Sequence, residues 1–315
     1  MRDSGTSTGG PAAGGARQGA ERPIDDLDRR LLSVVDADPA AGHAVWARRL
    51  GVSDRTAARR FRALEAAGVV RVRGRSLPGF AGGMAWLTRT EGRPEDIARL
   101  GDTVARFPHS RWVRLSRDGT QLMAGLVTPP DGEDVVLRGL TGRRDGTRVR
   151  VHELLRVWGP PGAAPLPARP LDGLDRALMT ALARDGRRSL AALARELGVD
   201  ATTVGRRRAR LVADGAVYFE ADIDPAVHGP GGDAMLWLRV EPGAVRPLAE
   251  HLRSLSAVRF VAATSGDVSL VAHVVLGAAA DVVDLVDEEL AGRGVGAVEI
   301  VPQGRTFKRT AAAPG

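Results

Sequence analysis

The chain has 315 residues, enough for two or more domains, and its 43% hydrophobic and 26% charged residues are ordinary for a globular protein. It has no cysteine, which excludes disulfides, thiolate metal sites and a cysteine nucleophile, and no apolar run of the roughly 18 to 20 residues that a membrane helix needs. Lys and Arg outnumber Asp and Glu by 45 to 38, and a pI near 11.0 is typical of a nucleic-acid-binding protein, although an arginine-rich composition also follows from GC-rich coding.

Two segments without apolar periodicity divide the chain. Residues 1–22 are rich in Gly, Ser, Thr, Ala and Pro and are expected to form a disordered tail. This segment has no apolar stretch of the secretory kind, so we expect a cytoplasmic protein. Residues 159–170, GPPGAAPLPARP, predict a semi-rigid linker that could span about 37 Å.

The two halves on either side of this linker repeat each other. Residues 24–70 align without a gap with residues 171–217 at a constant offset of 147, and about 19 positions are identical. The remainder of each half repeats more weakly. A tandem duplication explains this pattern, so we expect two copies of one structural unit.

Each repeat begins with three helical patterns, and the third follows a short turn that contains glycine. In the first repeat, Gly51 suits the left-handed end of the second helix and Ser53 suits the N-cap of the third; Gly198 and Asp200 take these places in the second repeat. A short apolar run after each third helix predicts a strand pair, which is typical of a winged helix-turn-helix. The predicted recognition helices are Asp54–Ala66 and Ala201–Ala213.

The rest of each repeat alternates strand and helix patterns in the order β-α-β-β-α-β, which is the ferredoxin-like arrangement. The last strand is expected over Val295–Val301. The predicted fold is therefore α+β, with two tandem repeats of a winged helix-turn-helix followed by a ferredoxin-like module. The predicted domain bounds are 23–76 and 171–222 for the helix-turn-helix domains, and 82–158 and 233–307 for the ferredoxin-like domains.

The order of these domains, together with phrases such as LDGLDRALM and LGVDATTVGRRRARLVADG, resembles the Lrp/AsnC (feast/famine) family of transcriptional regulators. The resemblance covers residues 24–157 and 171–307, and the second half is the closer match. It implies double-stranded DNA as a partner, dimerisation through the sheets, and a small effector, often an amino acid, bound between them. The single chain would then correspond to a dimer of the family, with its two halves paired as an internal pseudo-dimer. We also expect the chain to form a homo-oligomer.

Polar residues on the solvent face of the recognition helices are the candidate DNA contacts. N-terminal residues of such a helix usually touch base edges, and arginine pairs bidentately with guanine or with phosphate. On the second helix, Arg208 and Gly205 replace Phe61 and Ala58, so we expect the first helix to carry more of the discrimination. The candidate base readers are Ser53, Arg55 and Thr56, the candidate phosphate contacts are Arg59, Arg60 and Arg62, and the second helix offers Thr202, Thr203, Arg206 and Arg207.

Turns between strands of the ferredoxin-like modules are the candidate effector site, because the family binds effectors there. The candidate residues are Ser265, Gly266 and Asp267 in the second half, and Arg117 and Asp118 in the first. The common structural meaning of a Gly-Asp sequence between strands is simply a turn.

Signals of catalysis are weak, so we expect neither an enzyme nor a bound metal or cofactor. No phosphate-binding loop or dinucleotide fingerprint is present, and the six histidines lack metal-ligand spacing. One enzymatic alternative has the same architecture: siroheme decarboxylases resemble this family, occur as fused pairs, and bind a tetrapyrrole near His and Arg side chains. Basic recognition helices count against that alternative. A third possibility is a ligand-sensing scaffold that does not bind DNA.

Overall fold

The computed structural model describes residues 23–76, 83–107, 109–128, 135–143, 146–159, 170–224, 227 and 232–309. The predicted tail and nearly all of the predicted linker lie outside these residues. Among the residues described, no helix is long and apolar enough to cross a membrane.

Each half begins with three helices. In the first half these are α1 (Asp26–Ala37), α2 (His43–Leu50) and α3 (Asp54–Ala66); in the second they are α6 (Gly173–Arg184), α7 (Leu190–Leu197) and α8 (Ala201–Ala213). Gly51 and Gly198 take left-handed φ values of 70° and 67° at the ends of α2 and α7, where a side chain would be strained. The turns that set α3 and α8 therefore follow directly from the sequence.

The strand after each recognition helix pairs with its counterpart in the other half. These strands are β1 (Val70–Arg75) and β6 (Tyr218–Ile223), and they form an antiparallel two-stranded ribbon with Val70 opposite Ile223 and Arg75 opposite Tyr218. The predicted strand pair thus forms, but between the halves and not as a wing within each half. We call this element the β1–β6 ribbon.

Each half continues in the predicted β-α-β-β-α-β order. The first half contains β2 (Met84–Glu91), α4 (Pro94–Arg106), β3 (Ser110–Ser116), β4 (Gln121–Thr128), α5 (Val135–Thr141) and β5 (Arg148–Trp158). The second half contains β7 (Gly232–Val240), α9 (Val245–Ser254), β8 (Val258–Thr264), β9 (Leu270–Leu276), α10 (Ala279–Leu290) and β10 (Val295–Lys308).

The eight strands of the two modules close into one barrel with the order β10-β3-β4-β2-β5-β8-β9-β7. Two seams join the halves: β5 pairs with β8, and the end of β10 pairs with β3. This second seam explains why β10 runs to Lys308 and not to Val301, since the additional residues find a partner in the other half. The two modules therefore pair with each other inside one chain.

Apolar residues fill the barrel and the layer between each sheet and its helices. Leu87, Met123, Met235, Trp237 and Val271 pack inside the barrel, and each module buries a separate cluster under its own helices. The first helix-turn-helix domain has its own core around Trp46 and Phe61.

A cation–π contact ties the second half to this first domain. The guanidinium of Arg187 lies 4.2 Å from the ring centre of Trp46 and donates to the carbonyl of Ala41 at 2.7 Å. Packing between halves thus extends from the barrel to the helical domains.

Candidate DNA-binding surface and central cavity

The first recognition helix presents three basic side chains to solvent. Ser53 caps α3 by accepting from the backbone N–H of Thr56 at 3.2 Å, and its hydroxyl lies 2.9 Å from that of Thr56. Arg55, Arg59 and Arg62 are exposed, and within the residues that the structure describes none of them forms an ion pair. The N-terminal turn and exposed face of α3 therefore form a positively charged surface of the kind that approaches phosphates.

Arg60 and Arg207 have partners inside the protein. Arg60 Nη1 lies 2.6 Å from a carboxylate oxygen of Asp25 and 2.9 Å from one of Asp28, and Asp28 is only 1% exposed. These hydrogen bonds raise the pKa of Arg60. We therefore assign Arg60 a structural role, tying α3 to the start of α1, in place of the predicted phosphate contact.

The second half repeats the same tie. Arg207 forms ion pairs with Asp172 and with fully buried Asp175, the latter at 3.0 Å. Arg207 thus stabilises the packing of α8 on α6, as Arg60 does for α3 on α1.

The second recognition helix differs from the first at the surface. Its N-cap, Asp200, accepts from the backbone N–H and from the hydroxyl of Thr203, both at 2.7 Å, and these bonds lower the pKa of Asp200. An ionised carboxylate thus lies where the first helix has the neutral Ser53. Thr202 and Arg206 are exposed as predicted.

Arg208 occupies the place of the core residue Phe61 without entering the core. Its guanidinium lies 4.7 Å from the ring centre of Phe219, and desolvation lowers its pKa. The stem of Arg208 therefore covers apolar surface while the charge stacks on an aromatic ring.

The predicted effector residues lie at the two seams of the barrel. At the β5–β8 seam, Ser265 Oγ accepts from the backbone N–H of Glu153 at 2.8 Å, and His152 Nδ1 donates to the Ser265 carbonyl at 2.8 Å. A Cβ on Gly266 would lie 3.0 Å from His152 Nδ1, which explains the glycine. Ser265 and Gly266 therefore serve the pairing of the halves.

Arg117 and Asp118 belong to the opposite seam. The backbone N–H of Arg117 donates to the Pro302 carbonyl at 2.9 Å, and Asp118 accepts from Ser116 Oγ at 2.5 Å, which lowers the pKa of Asp118. The β3–β10 and β5–β8 seams are separated by half of the barrel, so the two predicted turns lie apart, and the contact of their residues with an effector stays a prediction.

Asp267 alone of the five lines a described cavity, a small one of about 150 Å³. The same cavity contains Arg89, whose two terminal nitrogens donate to Glu299 at 2.7 and 2.5 Å. Because this guanidinium is already paired with a carboxylate, it is not available to bind an anionic ligand in the small cavity.

A larger cavity of about 250 Å³ lies between the β1–β6 ribbon and the barrel. We call it the central cavity. Its aromatic wall consists of Trp86, Trp112, Trp158, Phe219 and Phe260, and its basic side chains are Arg75, Arg111, Arg114, Arg253 and Arg259. Neither group was a predicted site, because the residues come from separate elements of both halves.

The arginines of the central cavity differ in how they are neutralised. Arg259 pairs with Asp36 of α1, and Arg253 donates to the carbonyls of Gly159 and Val258 at 2.9 and 2.8 Å. Arg75 is 4% exposed; its Nε lies 3.3 Å from Glu220, but both of its terminal nitrogens are buried without a hydrogen bond. Burial, and then the charge of Arg75, lower the pKa of Arg111 to about 10.

A buried histidine completes this wall. His273 Nε2 lies 2.7 Å from Asp233 and 2.5 Å from Arg114 Nη1. Desolvation and then Arg114 lower the pKa of His273 to about 4, so the ring is neutral at physiological pH. Within the described residues, no group of three or more His, Asp or Glu side chains could hold a metal ion.

His273 also marks a difference between the halves. In the β8–β9 pair it is opposite Phe260, whereas in the corresponding β3–β4 pair Gly125 is opposite Trp112. A side chain on Gly125 would clash with the Trp112 indole. The central cavity is therefore lined by a histidine from one half and by a glycine at the equivalent position of the other.

These observations define a protein with two helix-turn-helix domains and two paired sheet modules in a single chain. The AsnC-type helix-turn-helix domain matches it twice, at residues 24–65 and 171–212. The regulator AldR of Mycolicibacterium smegmatis is 35% identical over 122 residues, which are 38% of this chain and 70% of AldR. An uncharacterised HTH-type transcriptional regulator of Pyrococcus furiosus is 37% identical over 97 residues, 30% of this chain and 66% of that protein. The chain belongs to the Lrp/AsnC family of helix-turn-helix transcriptional regulators, as the sequence resemblance predicts.

Solved structures that align with nearly the whole chain come from an enzyme. The siroheme decarboxylase NirDL in complex with an iron-uroporphyrin III analogue has a TM-score of 0.61 at 14% identity, over 91% of this chain and 94% of its own. NirDL without this ligand gives a TM-score of 0.62 over 92% of this chain. The expectation that the tandem form is not an enzyme is contradicted by this likeness, since the same architecture supports catalysis in NirDL.

Proposed function

We propose that the chain is a sequence-specific duplex-DNA-binding transcriptional regulator, built as tandem helix-turn-helix and ferredoxin-like modules that reproduce a family dimer in one polypeptide. The pairing of β1 with β6 is the observation that carries this proposal. Because the paired strands are equivalent, antiparallel and directly follow the recognition helices, α3 and α8 are related by an approximate two-fold axis. Helix-turn-helix dimers read two half-sites with this symmetry.

The charge of the α3 surface supports the same function. Arg59 and Arg62 are exposed and lie one turn apart on the helix, a spacing that suits adjacent phosphates of the backbone. The predicted contacts of Arg55 and Thr202 with bases stay part of this proposal, as does further assembly into a homo-oligomer, which light scattering of the full chain tests.

Salt dependence of binding to a duplex selected from a random library tests the proposal. Each phosphate contact contributes about −0.9 to the slope of log affinity against log salt. The slope of the Arg59→Ala/Arg62→Ala double variant should therefore be shallower by about 1.8.

The matched control is Arg246→Ala/Arg293→Ala, which removes two exposed charges from the barrel module and leaves the helix surface intact. Equal slopes for the two double variants would contradict an interface at α3.

A second candidate function is action on a carboxylated tetrapyrrole, as the name of NirDL indicates for that protein. The arginines of the central cavity, with His273 beside them, favour it, because guanidinium groups bind carboxylates in bidentate geometry. Titration with an iron-uroporphyrin III analogue should then shift its absorbance at one equivalent per chain, and mass spectrometry should detect loss of carbon dioxide from a carboxylated substrate. Unchanged spectra in the presence of excess protein would exclude this function.

A further inference from the structure

We infer that the central cavity binds a small aromatic carboxylate, and that this ligand acts on DNA binding through the β1–β6 ribbon. The ligand site stands on the geometry of the cavity, and only the effect on DNA rests on the proposed regulatory function. Neither the predicted effector turns nor the small cavity contributes to this site.

The positive charge of the arginines that line the cavity favours an anionic ligand. Arg75 and Arg111 both line the cavity and are both buried, and burial and then the charge of Arg75 lower the pKa of Arg111. The two terminal nitrogens of Arg75 have no hydrogen bond, although buried polar groups normally have a partner. A carboxylate can accept from both nitrogens at once and neutralise the excess charge.

The aromatic side chains of the cavity wall favour a ligand with a flat apolar ring. Trp86, Trp112 and Phe260 line the same cavity and present rings on which an aromatic ligand can stack. Trp158 also lines it, and its indole N–H is buried without an acceptor. This donor gives the ligand a second polar anchor, apart from the arginines.

The size of the cavity limits the ligand. A volume of about 250 Å³ lies just below the roughly 300–1,000 Å³ of pockets for drug-sized ligands. One or two fused rings with a carboxylate fit this space, which is too small to enclose a tetrapyrrole.

The position of the cavity links the ligand to the recognition helices. Arg75 is the last residue of β1 and Tyr218 is the first residue of β6, and both line the cavity opposite barrel residues such as Trp158. A bound ligand therefore connects the ribbon, which continues from both recognition helices, to the barrel. If the ligand favours one position of the ribbon, linkage requires ligand and DNA to change each other's affinity by the same factor.

Calorimetry of the full chain with 2-naphthoate, and with 2-naphthamide as the uncharged match, tests the site. We expect one naphthoate per chain and at least tenfold weaker binding of the amide. Arg75→Met should lower naphthoate affinity at least tenfold without lowering Tm, because the buried charge it removes lacks full pairing. Arg71→Met changes an exposed arginine of the same strand and should leave the affinity unchanged.

A second variant covers the case in which Arg75→Met does not fold. Trp158→Phe keeps a ring and removes the unpaired N–H, and it should lower naphthoate affinity several-fold. If Arg75→Met and Arg71→Met change the affinity for naphthoate equally, the central cavity is not the binding site.

Two further comparisons separate the ligand from the DNA function. Arg55→Ala should lose DNA discrimination and keep naphthoate binding, so a failure of the proposed function leaves the site testable. Three results would overturn the assignment of a small aromatic carboxylate as the ligand. They are failure of naphthoate to bind, equal binding of naphthoate and the amide, and binding of the iron-uroporphyrin III analogue but not of naphthoate. Unchanged DNA affinity at saturating naphthoate would overturn the link through the ribbon.

Discussion

The two recognition helices of this chain have the same length and the same internal tie but different surfaces. Both have 13 residues, and both are fixed by an arginine that pairs with two aspartates of the first helix in their own half. Their surfaces differ at the N-cap, where Ser53 corresponds to Asp200, and two residues further, where Arg55 corresponds to Thr202.

This difference separates what holds a helix-turn-helix together from what it reads. The residues that tie the helix to its neighbours are kept in both copies, and so is the exposed Arg59, as Arg206. In contrast, Ser53, Arg55 and Arg62 have different residues at the corresponding positions. The first helix offers DNA three exposed arginines, and one of them, Arg55, is a bidentate donor where the second helix has Thr202. We therefore expect an asymmetric operator with one guanine-containing half-site and one degenerate half-site.

The largest expected effect tests the shared tie. Arg60→Ala removes an ion pair of the buried Asp28 carboxylate, so we expect the free energy of unfolding to fall by about 3 kcal/mol. Arg207→Ala removes the corresponding ion pair of Asp175 and should also destabilise the protein. Chemical denaturation measures both, with exposed Arg59→Ala as the control, which should change stability by less than about 0.5 kcal/mol. If Arg60→Ala is as stable as the wild-type protein and its DNA affinity depends less steeply on salt, Arg60 contacts phosphate after all.

The next effect tests the difference in reading. Arg55→Ala should relax discrimination at one operator position by roughly 1 to 3 kcal/mol, because it removes a bidentate donor to guanine. Thr202→Ala should change discrimination little. Selection of sites from a random duplex library with each variant measures this difference. A palindromic operator constrained equally in both halves would contradict the asymmetry.

A smaller effect concerns the interior of α8. Gly205→Ala should stabilise the protein by about 0.5 to 1 kcal/mol, because alanine is the better helix former. The new Cβ would meet only the end of the Leu190 side chain, at 3.3 Å, and this flexible group can move aside. Thermal unfolding compared with Ala58→Gly, which should produce the opposite change in α3, measures the effect. A lower Tm for Gly205→Ala would show that the glycine is needed for packing.

The smallest effect concerns the second N-cap. Asp200→Ser gives α8 the cap that α3 has, with little change in stability since the two residues cap about equally well. Removal of the carboxylate should strengthen DNA binding roughly two- to fivefold at low salt, because a negative charge near the phosphates is lost. Ser53→Asp should weaken binding by a similar factor. Fluorescence anisotropy with a labelled operator measures both, and equal affinities for all three proteins would place the N-caps away from DNA.

Features that depend on local sequence could be predicted from it. The bounds of α3 and α8 follow from a capping side chain, an apolar stripe and a terminal glycine, and the structure has both helices as predicted. Pairing between distant strands has no such local signal. The β1–β6 ribbon, the extension of β10 to Lys308 and the central cavity therefore needed the structure.

The role of Arg60 is an intermediate case. Its partners lie 35 and 32 residues earlier, so no helical spacing reveals them. The repeat did contain a signal, since Asp25, Asp28 and Arg60 all recur at the offset of 147, whereas the charged residues Asp26, Arg30 and Arg62 do not. Retention of a charged triplet between two otherwise divergent copies indicates an internal contact.

The fusion of the halves changes how the protein can evolve. A dimer of identical subunits receives every mutation twice, so a histidine that suits one wall of a cavity on the symmetry axis must also be tolerated on the other. Here Gly125 keeps the room that Trp112 occupies, while the equivalent position carries His273 with its own partners. Each half can be selected separately, so the cavity on the axis can lose its two-fold symmetry and bind one ligand in one orientation.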